Sequence, residues 1–386
     1  MAFSYGTDNI IAALGQSNRV CQVDLWDLAS WQLEEVLAAM QVPFPELTDL
    51  SLMDAFLSTD ETDETLPVIP DSFLGGSAPR LRKFDLTSIP FPGLPKLLLS
   101  ATHLVHLSLW NIPHSGYILP EAIVALISVL SSLERLNLEF QSPQSRPDRE
   151  TRRLPPSERS VFPALIYLYF KGVTEYLEDL VIGIDAPKLE RMHIKFFNQI
   201  DFDTQRLAQF INRTPQLRKR DAKVEFDDNF ARFRLPPGFR VHSTLEIEIS
   251  CIEPDWQLSS IEQVCNSLHP LFTVEDLYIE DNYLEQGWKD DVIENTLWLQ
   301  LLLPFTAVKN LYLSEEFAPG IVTALQELVG DRITEVLPSL QNIFVERFEP
   351  SGPFQEIIGQ FVAARQLSGH PIAIIAGRKD SNLKPM

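Results

Sequence analysis

His103 and His106 form an HxxH pair, a spacing at which two imidazoles can share a metal ion. Such a pair needs convergent rings and a third ligand nearby, and no cysteine or carboxylate follows in a suitable place, so both read as structural. His114, His193, His242, His269 and His370 are scattered. The acidic run Asp60, Glu61, Asp63, Glu64 lacks the glycine and distal glutamate of a calcium loop and reads as solvated. Gly75 and Gly76 lack the lysine and spacing of a phosphate loop and read as a turn. No serine nucleophile elbow occurs, and Cys21, Cys251 and Cys265 show no metal-ligand spacing. The sequence therefore predicts a non-enzymatic chain with no catalytic residues, cofactor or metal.

Composition narrows the partners. A net charge of -21 and a pI near 4.7 lack the basic stripe that displaces counterions from phosphates, so neither nucleic acid nor an anionic membrane is an expected partner. The N-terminus has no basic region followed by a long apolar one, and no apolar run is long enough to span a bilayer. With three cysteines and no disulfide framework, a cytoplasmic or nuclear location is expected.

The elements that must position any site come from one recurring phrase. ATHLVHLSLWNI sets Leu104, Leu107 and Leu109 at spacings of three and two, which suits a docking residue followed by a short alternating strand. FPELTDLSLM, APRLRKFDLTSI, LSSLERLNLEF, FPALIYLYFKGV, APKLERMHIKFF, LFTVEDLYIED, FTAVKNLYLSEE and LPSLQNIFVERF repeat it. Adding Val20, a decayed copy at Leu217 and one at His242 gives eleven steps from Val20 to Leu340, about 29 residues each, within the leucine-rich-repeat range. Helices are expected between the strands, among them Leu28–Met40, Pro120–Leu130, Thr174–Ile184, Asp203–Arg213 capped by Asp203 or Thr204, and Ser259–Leu268.

The predicted fold is an α/β leucine-rich-repeat solenoid of about eleven irregular repeats. Strands pack about 4.8 Å apart and helices about 10 Å, so a parallel sheet should line the concave side with helices on the convex side. One array is expected over residues 1–376, with loop insertions near 58–77 and 141–160 and a frayed tail at 377–386. The second insertion carries five arginines against three acids and reads as a flexible loop.

Residues between the inward apolar ones should face the concave surface. One column contains Ser108, Tyr169, His193, Tyr278, Tyr312 and Phe344; the next contains Trp26, Met53, Trp110, Lys171, Lys195 and Glu280. Aromatic side chains flanked by charge are what protein interfaces use as anchors, which makes these the candidate protein-binding residues. Lys171 and Lys195 are candidate contacts to an acidic ligand. The plainer reading is that aromatics suit strands and the lysines are solvated.

Over nearly its whole length the chain resembles the repeat region of F-box-type leucine-rich-repeat proteins of mushroom-forming fungi. The resemblance is carried by PDSFLGGSAPRLR, IPFPGLPKLLLSATHLV, LWNIPHSGY, FKGVTEYLEDL, NTLWLQLLLPFTAVKNLYLSEEFAP and ALQELVG. It implies substrate recognition for a cullin ubiquitin ligase, with an F-box docking on a Skp-type adaptor. The repeats begin by about residue 20, so the F-box is expected to be missing from this chain, and the adaptor to be a partner only if an F-box lies outside it. The alternative is a free-standing repeat scaffold or sensor with no ubiquitin connection.

Overall fold

The computed structural model describes residues 7–54, 67–147, 159–236, 244–268, 271, 273–281, 293–328, 330–346 and 353–376. His242, His269, the acidic run at 60–64, most of the arginine-rich insertion and the tail at 377–386 lie outside the described residues. The chain divides into two compact units, Met1–Met192 and His193–Met386.

Unit 1 alternates strands β1 (Gln22–Leu28), β2 (Asp49–Asp54), β3 (Lys83–Thr87), β4 (His106–Ile112), β5 (Arg135–Phe140), β6 (Ser160–Val161), β7 (Tyr167–Gly172) and β8 (Ile184–Asp185) with helices. These are α1 (Thr7–Leu14), α2 (Ser30–Ala39), α3 (Leu94–Leu98), α4 (Pro120–Ser128) and α5 (Thr174–Ile182). Its main sheet runs β1-β2-β3-β4-β5-β7 with every pair parallel, while β6 and β8 form a small parallel pair of their own. Pro120 opens α4, where its fixed φ suits the helix and its missing N–H costs nothing.

The leucine phrase forms the core as expected. Leu47, Leu81, Leu104, Leu133, Leu165 and Leu189 are buried, and so are the alternate strand residues Leu50, Leu52, Phe84, Leu86, Leu107, Leu109, Leu136 and Leu138. A local turn explains the spacing of three: the N–H of Leu104 donates to the carbonyl of Ala101 at 3.0 Å, and the same bond joins Leu47 to Phe44, Leu81 to Ala78 and Leu133 to Leu130. The residue three before each lead position is buried too, so the turn seats two apolar side chains before the strand begins.

Gly75 and Gly76 make the turn that the sequence suggests, with φ of 66° and 74°. A Cβ on Gly75 would lie 2.7 Å from the Pro43 ring. Gly75→Ala is expected to destabilise unit 1 by about 1–3 kcal/mol through strain and this clash, read as a lower urea midpoint; an unchanged midpoint would show that the turn adapts.

Unit 2 contains β9 (Arg191–Phe196), whose residues from His193 onward belong to it, then β10 (Asp221–Asp227), β11 (Phe230–Leu235), β12 (Leu245–Ser250), β13 (Asp276–Asp281), β14 (Asn310–Leu313), β15 (Asn342–Val345) and β16 (Ala373–Ala376). Its helices are α6 (Gln205–Arg213), α7 (Pro254–Ser267), α8 (Asn295–Leu302), α9 (Ala318–Gln326) and α10 (Pro353–Leu367). Leu217, Val274, Val308 and Leu340 are buried lead positions here.

The strand order β9-β12-β11-β10-β13-β14-β15-β16 corrects the all-parallel expectation. β10, β11 and β12 form an antiparallel meander, and β10 then pairs parallel with β13. Asp227 faces Phe230 across a two-residue turn, Asp228–Asn229, a length that suits a tight hairpin. The meander replaces a helix-linked unit where the phrase at Leu217 decays. Helix α7 also starts five residues earlier than expected, at Pro254. Thr204 precedes α6 without capping it through its hydroxyl; the Asp203 carboxylate instead accepts the Gln205 N–H at 3.3 Å.

Candidate functional site

In unit 1 the candidate side chains separate into two places. Trp26 and Met53, 71% and 40% exposed, stand on β1 and β2 at one end of the strand order. The register of β1 against β2 shifts after Leu25, where Asp27 takes a φ of 60°, so Trp26 is carried on a bulge. A groove of about 1020 Å³ runs beside β1, lined by Ile10, Leu14, Val20, Leu25 and Trp26 among others.

Trp110, Tyr169 and Lys171 come together at the other end. β4 bulges at Asn111, φ 50°, and the Trp110 ring lies 5.0 Å from that of Tyr169. The Tyr169 hydroxyl donates to Glu139 at 3.2 Å and the Lys171 ammonium to the other carboxylate oxygen at 3.0 Å. Glu139 organises this cluster and was not among the candidates. Ser108, expected on the open face, is buried and accepts a hydrogen bond from Asn137 at 2.8 Å. Its small side chain lets the neighbouring amide cover it.

Unit 2 sets a row of charges across its strands. Lys195 on β9 pairs with Glu248 on β12 at 2.6 Å, and His193 lies 3.9 Å from Glu246. Arg232 on β11 reaches Glu248 at 2.7 Å and Glu246 at 3.3 Å. Arg234 pairs with Glu225 on β10, while Lys223 bridges Glu225 and Glu280 at 2.6 Å each. Lys195 and Lys171 are thus both engaged by glutamates of the chain itself.

Burial by itself would push the Glu225 carboxyl up, but hydrogen bonds and charge from Lys223 and Arg234 outweigh it and hold the group below the usual carboxylate range. Glu248 is depressed in the same way, against burial, by Lys195 and Arg232. Arg232 is held above the ordinary guanidinium value because Glu248, Glu246 and Glu225 outweigh the cost of its burial. Four cations and four glutamates close this network, so it presents little net charge.

Beyond the charges lies a ladder of rings. Tyr278, Tyr312 and Phe344 occupy matched positions on β13, β14 and β15. Their centroids are 4.2 and 4.4 Å apart, with planes inclined by 8° and 9°. All three are half-buried, and Ile375 on β16, 39% exposed, continues the row. Burial first, then the neighbouring Tyr312 at Tyr278 and the acids Asp276 and Asp221 at both, raises the two tyrosine hydroxyls above the ordinary phenol value, so both stay protonated at neutral pH. Two residues earlier on the same strands, Asn342 donates to Asn310 at 2.7 Å and Asn310 to Asp276 at 2.6 Å.

The comparisons with known proteins add little at the level of sequence: no family model and no curated protein matches the chain. Among solved structures, LegL7 from Legionella pneumophila is similar over 94% of this chain and 95% of its own, at 12% identity and a TM-score of 0.31. That neighbour is a leucine-rich-repeat-containing protein. A likeness this slight supports no conclusion about this chain, whose own strand register is the firmer ground.

Arg232 and Arg234 stand on β11, a strand that the leucine phrase does not predict. FARFRL does alternate with period two after a turn-forming Asp-Asp-Asn, and that signal could have found it. Among the described residues no three histidine, cysteine or acidic side chains group to hold a metal. Among them, too, no helix is long and apolar enough to cross a membrane.

Proposed function

We propose that this chain is a leucine-rich-repeat solenoid of about eleven irregular units, one array over residues 1–376, whose open strand face binds a partner protein. The observation that carries the reading is the Tyr278–Tyr312–Phe344 ladder. Three large rings stand half-exposed on the side of the strands opposite the buried leucines, where the core does not need them. Stacked rings are rigid, so little side-chain entropy is lost when a partner covers them. Trp110, tilted against Tyr169 at 5.0 Å between ring centroids, provides a second aromatic anchor in unit 1.

The wording shared with F-box-type repeat proteins supports substrate recognition for a ubiquitin ligase, in cytoplasm or nucleus. Proximity labelling in cells tests the protein-binding reading. Tyr312→Ala is expected to remove a defined set of labelled proteins while leaving the thermal transition close to that of the wild type. An identical labelled set would overturn it. For the ligase role, the labelled set should include proteins whose ubiquitination falls when this chain is depleted.

A further inference from the structure

The charges of unit 2 are unevenly balanced. Lys195, Lys223, Arg232 and Arg234 are matched by Glu225, Glu246, Glu248 and Glu280, so the β9–β12 part of the face needs no counter-charge from outside. The margin next to the ring ladder differs. Asp221 on β10 faces Asp276 on β13 in register, and among the described residues no cation pairs with Asp221. Glu275, beside Asp276, has Lys309 at 3.3 Å, while Asp276 accepts from the amide of Asn310 at 2.6 Å and, among the described residues, pairs with no cation. Burial above all, with smaller contributions from Asp276 and Glu275, raises the Asp221 carboxyl above its usual range.

Two parallel rails result. Asp221, Asp276, Asn310 and Asn342 form a polar, acidic one; two residues further along the strands, Tyr278, Tyr312 and Phe344 form an apolar one that Ile375 extends. The rings stack on each other, so their faces are occupied and their edges look outward. Lysine and arginine fit both rails at once, with an aliphatic stem on the ring edges and a cationic head at the carboxylates. A phosphate-bearing or acidic partner would meet the wrong charge.

We propose that this margin, Asp221 and Asp276 beside the Tyr278–Tyr312–Phe344 ladder, takes a lysine- or arginine-bearing segment of the partner protein. The inference rests on the protein-binding reading above and specifies the partner's chemistry. Contact with the rings supplies most of the affinity and the two aspartates select the charge.

The test uses the full chain and short fluorescein-labelled peptides that alternate threonine with lysine, glutamate or serine, read by fluorescence anisotropy. The lysine peptide is expected to bind at least about tenfold more tightly than the other two. Asp221→Asn with Asp276→Asn should abolish that preference and flatten its salt dependence. Glu34→Gln with Glu35→Gln, at two exposed positions of α2, changes the net charge equally and should leave the preference intact. Equal loss in both double variants would mean attraction to the acidic chain as a whole and overturn the proposal, as would three peptides binding alike. If Tyr312→Ala abolishes the cellular labelling and the aspartate variant does not, the protein-binding reading stands and the basic partner falls. Each Asp→Asn change is isosteric and removes a like-charge contact, so loss of folding is not expected to obscure the result.

Discussion

Leu107→Ala should destabilise the protein by roughly 2–5 kcal/mol, the range for truncating a fully buried leucine. Leu107 is 0% exposed on β4, with Phe84 of β3 and Leu136 of β5 directly beside it in register. Removing its side chain withdraws contacts from both neighbouring strands and leaves a void, since two paired strands cannot close on the gap without breaking their ladder. Urea unfolding should show a lower midpoint at unchanged slope. A near-neutral result would mean that the inward register of the phrase is wrong.

Glu225→Ala should cost about 1–3 kcal/mol. Its carboxylate is 3% exposed and receives Lys223 and Arg234, with Arg232 at 3.7 Å. Truncation leaves these cations side by side with no carboxylate between them. The figure is below that for a wholly buried pair because the cations keep partial access to water, which screens their repulsion. The pH dependence has a defined sign. Glu225 and Glu248 both titrate below their ordinary range in the folded chain, so their stabilisation is full above the unfolded glutamate value of about 4.3. It is lost as pH falls through the depressed folded values. Glu225→Gln combined with Glu248→Gln should therefore flatten the acid limb of the stability curve. An acid limb as steep as that of the wild type would show that other carboxylates set it.

Much of the fold can be read from the sequence because its code is local. The lead leucine, the turn three residues before it and the period-two strand fall within a dozen residues, and every lead position from Leu47 to Leu189 is buried as expected. Where the phrase decays, at Leu217, the reading failed. Arg220 and Ala222 broke the pattern, and the chain there makes an antiparallel meander whose second strand, FARFRL, follows no leucine phrase. Helix ends were less legible because proline and neighbouring contacts, not the apolar period, set them; Pro254 starts α7 well before the expected Ser259.

The candidate site was half legible. Alternation places Tyr278, Tyr312 and Phe344 on the face away from the core, and the sequence names them. It gives no sign that their rings stack, because stacking depends on register between strands more than thirty residues apart. Nor does it show that Lys171 and Lys195 are consumed by Glu139 and Glu248. A charge in a column looks available until the neighbouring strand is known.

The sequence by itself determined the repeating strand phrase, the buried leucine set and the aromatic residues that face away from it, since each depends only on spacing along the chain. The tertiary structure decided the strand order of unit 2, which charges cancel, and where rings stack beside the facing carboxylates of Asp221 and Asp276. Those properties belong to pairs of strands, and contacts across a sheet are set by register rather than by neighbourhood in sequence.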